Sequence, residues 1–359
     1  VSAANSLQLS AGNIQNNQLL YAGNSAALNA ASVTNNGTVS ANNLSVSGFS
    51  LLQNSGRIES ATASYSGTTL QNAGGELVNA GSAANSLQLN VAELNNSGTV
   101  YNSASDMRFG GNLTNSGNIV HAGSGTLLLG SNGAVNNNGG SIASAGRVTV
   151  SNNISGSGTV YAEQGMLINS AGTFVNQSQL YTKGDMQVTA ALDNQGSLLA
   201  DANLSINTSG AVSNSGTLQG QNLNLTAGAV TNNGGTITST GSGNALINAA
   251  SLNNSNGLIQ ASNNNLTIST ATAGLNNSNG QIKHAGNGVL SLGSSGQFVQ
   301  QSGITQTLGQ LQLTAQGGID NSYGVLAASQ FQLTSAGGLN NSAGQIIGSG
   351  SAVSSINVQ

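Results

Sequence analysis

Apolar and polar residues follow one another along this chain in an order that repeats about every 20 residues. The clearest unit is apolar-x-Asn-x-Gly-x-apolar, as in Val33-Thr-Asn-Asn-Gly37-Thr-Val39, Leu52-Gln-Asn-Ser-Gly56-Arg-Ile58 and Leu113-Thr-Asn-Ser-Gly117-Asn-Ile119. Variants carry one extra residue beside the glycine, as in Val230-Thr-Asn-Asn-Gly-Gly235-Thr-Ile237. About 17 copies run from Ile14 to Leu339. Between them lies strict alternation, in Leu7-Gln-Leu9, Leu44-Ser-Val46, Val148-Thr-Val150, Leu204-Ser-Ile206 and Leu311-Gln-Leu313. A period of two predicts short strands with one buried face. Segments of this size cannot bury an apolar face alone, so they stack, each strand pairing in parallel with its equivalent one coil on. The expected fold is all-β: a parallel β-helix (β-solenoid) of about 17–18 coils, forming one continuous repeat domain over 1–359. Its right hand is taken from the usual chirality of parallel crossovers. The stretch SAANSLQL at Ser2–Leu9 recurs letter for letter at Ser82–Leu89, as though a block of four coils had been duplicated.

The repeat assigns roles by position. Asparagine recurs at one place in the coil, at Asn35, Asn54, Asn72, Asn96, Asn115, Asn137, Asn194, Asn214, Asn232, Asn254 and Asn277, with Gly156 and Gln300 as breaks. It tolerates a left-handed corner, and stacked amides donate and accept along a ladder. A column this regular is structural. Apolar residues two places after the glycine, such as Val39, Ile58, Ile119 and Leu218, are core. The position after each points outward and holds Tyr21, Tyr101, Tyr161 and Tyr181. Two readings of that stripe stand: a contact surface for glycan or protein, or the β-propensity of a half-exposed strand. Coils longer than the average must bulge, and 79–86 is one such place.

Composition narrows the function classes. Charged residues are 4% and aromatic residues 3%, against roughly 25% charged in a typical domain, so solubility rests on amides and hydroxyls. Five cations, Arg57, Arg108, Arg147, Lys183 and Lys283, form no cluster, which excludes nucleic acid and anionic membrane surfaces as partners. No run approaches the ~18 apolar residues of a membrane span. There is no cysteine, hence no disulfide and no thiolate metal site. The first residues, Val1 to Asn5, have neither a basic nor an apolar leader segment and begin in mid-pattern, which points to a piece of a longer protein.

Catalysis finds no footing. The nine acids are spread along the repeat, whereas a carbohydrate-cleaving β-helix gathers two or more carboxylates in one groove. The densest set, Lys183, Asp185, Asp193 and Asp201, spans two coils. Arg57 and Glu76 occupy equivalent positions on consecutive coils and should pair on the surface. His121 and His284 share a His-Ala-Gly corner context but lie too far apart to hold one metal. No catalytic, cofactor-binding or metal-binding residue is assigned.

These coils, for example Leu192-Asp-Asn-Gln-Gly-Ser-Leu198 followed by Leu204-Ser-Ile206, resemble the repeats of filamentous-haemagglutinin-type exoproteins of two-partner secretion, a group that includes CdiA-type proteins of contact-dependent growth inhibition. The resemblance spans the chain. It implies a right-handed shaft, secreted through an outer-membrane TpsB-type transporter and displayed, monomeric, on the surface of a Gram-negative bacterium. Such a shaft projects an adhesive or toxin-delivery domain, with a target-cell receptor as its partner. A direct adhesin is the alternative, and a β-helical carbohydrate-active enzyme stands behind both.

Overall fold

The computed structural model describes residues 1–359. It contains strands, turns and bends and no helix, and all of its strand pairings are parallel. One coil shows the plan. Strands Leu192–Asn194, Ser197–Ala200 and Asn203–Asn207 are joined by two short corners. The next coil repeats them, with Leu192 opposite Val212, Leu198 opposite Leu218, and Leu204 and Ile206 opposite Leu223 and Leu225. These inward residues are all buried, and the residues between them face out, as the alternation requires. The chain is thus a parallel β-solenoid of about 18 coils, in which each coil buries its apolar face against its neighbours.

Packing divides the chain into two compact units, Val1–Ala171 with Gln177–Lys183, and Gly172–Asn176 with Gly184–Gln359. In the first, the core column after the glycine runs Val39, Ile58, Leu77, Val100, Ile119, Ile142, Val160 and Leu180 in unbroken register. In the second it runs Leu198, Leu218, Ile237, Ile259 and Ile282, meets Thr305, and resumes at Leu326. Equivalent residues recur at spacings of 18 to 24. The longest spacing accommodates the bulge at 80–86, where the Asn79 amide and Ser86 hydroxyl clasp across the loop at 2.9 Å.

The corners differ from expectation in one respect. None of the stacked asparagines takes a left-handed conformation. In long corners that role falls to the extra residue just before the glycine: Gly234 (φ +73°) in one coil, and Asn256, Asn279, Ser302, Tyr323 and Ala343 (φ +54° to +58°) in others. The asparagine is still part of the strand, and its side chain is needed inside. The glycine of the short corner is fixed by contact instead. A Cβ on Gly56 would stand 2.0 Å from the Gly37 carbonyl oxygen of the preceding coil, far inside van der Waals contact.

Candidate functional site

Inside each unit the asparagines form a continuous amide ladder. In the first unit Nδ2 of Asn16, Asn35, Asn54, Asn72, Asn96 and Asn115 each donates to Oδ1 of the next, ending at Asn137, over 2.7–2.8 Å. The ladder stops at Gly156, and the Asn137 amide donates to the Thr159 carbonyl. In the second unit Asn176, Asn194, Asn214, Asn232 and Asn254 are linked in the same way up to Asn277. Most of these Nδ2 atoms also reach backbone carbonyls of their own and the following coil; Asn214, for instance, donates to the carbonyls of Gly216 and Thr236. The amides are buried, so this pairing is what makes their burial affordable.

One rung is longer. Gln300 accepts from Asn277 at 3.2 Å and donates to Asn321 at 3.0 Å. Its extra methylene carries the amide deeper, where the Thr305 hydroxyl donates to Oε1. This accounts for Thr305 at a position that is aliphatic in the neighbouring coils: the longer amide and the hydroxyl are one compensated pair.

A second inner polar column went unnoticed in the sequence. It lies at the far end of the next strand and in the first unit runs Ser60, Asn79, Asn102, His121 and Ser144 in register. In the second it holds Ser239, His284 and Thr307, with Ala261 between the first two. Both histidines therefore face inward and are buried, although their corner context placed them at turns. His121 Nδ1 lies 2.8 Å from the Ser144 hydroxyl, and Nε2 lies 3.1 and 3.0 Å from the carbonyls of Ala104 and Ser105. His284 repeats the arrangement with Thr307 (2.8 Å) and the Asn263 carbonyl (2.9 Å). A carbonyl only accepts, so Nε2 carries the proton and Nδ1 accepts from the hydroxyl. Burial is the largest influence on both rings and lowers their pKa below the ordinary value.

The outer face of the first unit carries the tyrosines. Strand register places Tyr21, Ser40, Glu59, Val78, Tyr101, Val120, Ala143, Tyr161 and Tyr181 in one column. Tyr161 and Tyr181 lie with ring centroids 5.5 Å apart and planes tilted by 35°. The Tyr161 hydroxyl donates to Glu163, which also accepts from Lys183 Nζ at 2.8 Å. Lys183 first, then Tyr161, hold the Glu163 carboxyl below the usual carboxylate range. Near Tyr21, Arg57 bridges Glu59 (2.7 Å) and Glu76 of the next coil, beside a shallow groove of about 360 Å³. The equivalent outer column of the second unit bears Gln260, Lys283 and Gln306 beside a groove of about 470 Å³. Of the other two tyrosines, Tyr65 is turned into the core and Tyr323 stands exposed on a corner.

The acids act as local acceptors. Asp106 caps the Thr126 amide at 2.7 Å, Asp185 takes the amide and side chain of Asn203, Asp193 accepts from Gln195, and Asp320 accepts from Ser322, Gln301 and Asn340. Glu59 and Glu76 share a partner, and it is a cation on the surface. Lys183 pairs with Glu163 within the first unit, and in the second Asp185 and Asp193 accept from different partners, Asn203 and Gln195. No group of three or more His, Asp or Glu side chains is positioned to hold a metal.

Comparison with known families matches the haemagglutinin repeat over residues 143–216, 187–242 and 299–358. No curated protein and no solved structure matches the chain. The matched segments include coils from both units, with the asparagine corner and alternating strands described above. Over 143–242 and 299–358 the chain carries haemagglutinin repeats, and with the parallel coils in place it is similar to filamentous haemagglutinin-like repeat proteins.

Proposed function

We propose that this chain is the shaft segment of a secreted, surface-displayed exoprotein of two-partner secretion, and that its work is to hold an adhesive or toxin-delivering domain away from the bacterial surface. The observation that carries the reading is the way each unit uses its residues. Apolar columns, amide ladders and local caps for the acids account for most of the conspicuous side chains. Haemagglutinin-repeat proteins are typically secreted surface proteins with structural or adhesive roles, which accords with this use. In this reading the TpsB-type transporter and a target-cell receptor are partners of the parent protein, and the segment itself is monomeric.

The test is excision of whole coils from the parent protein. Removing 195–232 joins two equivalent ladder positions and shortens the stack by two coils, about 10 Å at ~4.8 Å per coil. A shaft so shortened keeps its fold and its delivery or adhesion. Complete loss of adhesion and delivery from a folded, displayed variant would refute the reading.

A second reading is favoured by the tyrosine column: direct adhesion, with glycan or protein lying on Tyr101, Tyr161 and Tyr181. Replacing Tyr161 and Tyr181 with serine and measuring cell binding separates the two. Unchanged binding sinks direct contact through this stripe.

A further inference from the structure

The two histidines sit in the same place in the coil, make the same bonds and belong to different units. Each ring spans three successive coils. His121 donates back to Ala104 and Ser105 and accepts forward from Ser144; His284 donates back to Asn263 and accepts forward from Thr307. The hydroxyls are themselves fixed, because Ser144 Oγ accepts from the Gly146 amide and Thr307 Oγ1 from the Gly309 amide, both at 3.1 Å. Because Nε2 keeps the ring proton for the carbonyls, Nδ1 is the acceptor and the hydroxyl proton is given to it. A second ring proton on Nδ1 would meet it head-on, and the hydroxyl would have to turn away.

Little nearby charge would soften that event. Around His121, the strands Asn118–His121 and Ser141–Ser144 carry no charged residue, and the preceding coil supplies Asp106. Around His284, Leu258–Ala261 and Ile304–Thr307 carry none, and Lys283 on its own strand belongs to the outer column. We propose that His121 and His284 are acid-labile clips: neutral, each ties three coils together; protonated, each releases the coil that follows, so that the stack loosens locally on acidification while the asparagine ladder keeps register. The inference rests on the ring contacts alone and stands independently of the shaft reading.

The sign follows from linkage. Burial makes the folded ring harder to protonate than the ordinary imidazole near 6.5, so a loosened coil binds the proton more readily. Above that pH the clip contributes fully. Below it, opening is favoured by up to about 30-fold per histidine at pH 5.0.

Hydrogen exchange of the intact chain at pH 7.4 and 5.0, corrected for intrinsic rates, reads this directly. Protection should fall about tenfold or more over 118–125, 141–147, 281–288 and 304–310, and hold over 212–218, where no histidine is near. The double variant His121→Gln, His284→Gln should keep its protection at pH 5.0. Equal protection of the native chain at both pH values overturns the proposal, as does a loss that persists in the double variant. Should that variant fold poorly, NMR titration of the two imidazoles in the native chain decides: both midpoints fall below 6.5, and a midpoint at or above it overturns the proposal.

Discussion

Replacing Asn214 with alanine tests whether the amide ladder holds the coils or merely fills space. Asn214 accepts from Asn194 at 2.8 Å and donates to Asn232 at 2.7 Å. Without it, the Asn194 amide still has the carbonyls of Gly196 and Thr217, at 3.2 and 3.0 Å. Asn232 Oδ1 has no such substitute and becomes a buried acceptor with no donor, at about 1–3 kcal/mol. The space left by the amide adds to this, for a total of about 2–4 kcal/mol. Ser213, next in sequence, points to solvent, so Ser213→Ala should stay within about 0.5 kcal/mol. A solenoid opens locally and need not unfold in one step, so global melting is the wrong readout. Native-state hydrogen exchange over 210–240 is the right one, where 1.4 kcal/mol appears as about tenfold in opening. If Asn214→Ala is no more open than Ser213→Ala, the ladder is not what stabilises these coils.

Four further outcomes follow from other contacts. Gln300→Asn and Thr305→Ile should each destabilise, and the double variant should recover about 1 kcal/mol relative to their sum, because together they restore the common coil; a denaturation cycle measures the coupling. Ser60 Oγ is buried without a partner in a column where the preceding coil has Ala41, so Ser60→Ala should be neutral or slightly stabilising in thermal melts. Tyr323→Asn should stabilise by about 1 kcal/mol, since asparagine bears the left-handed corner at less cost. Arg57→Gln should change stability by less than about 1 kcal/mol, with the difference gone in 1 M salt.

How much of this was legible depended on whether a position keeps one residue type. The apolar columns and the asparagine column announce themselves because the same letters recur, and a period of two fixes which way they face. The second inner column holds Ser60, Asn79, Asn102, His121 and Ser144, so no single residue type marks it, although each residue directly follows an outward one. The position also takes alanine, as at Ala41, Ala162 and Ala261, and where it is polar several side chains can reach a neighbouring coil. His121 and His284 looked like corner residues for the same reason. In the long corners, the run Asn253-Asn-Ser-Asn-Gly257 contains three asparagines, and sequence alone does not say which one turns left-handed; the inward pull on Asn254 leaves that to Asn256. The tyrosine column was visible as Tyr21, Tyr101, Tyr161 and Tyr181, and Tyr65, outside that column, is turned into the core.

The inner ladder also has a sense of direction. Every link runs the same way, from Nδ2 of one coil to the oxygen of the coil that comes later in the chain. A stack that is complete up to some coil therefore ends on an unspent donor, and the next asparagine to arrive brings the oxygen it lacks. The two ends of a ladder are therefore chemically unlike: one offers a donor and the other an acceptor, and a further coil fits only if it brings the complementary end of its amide.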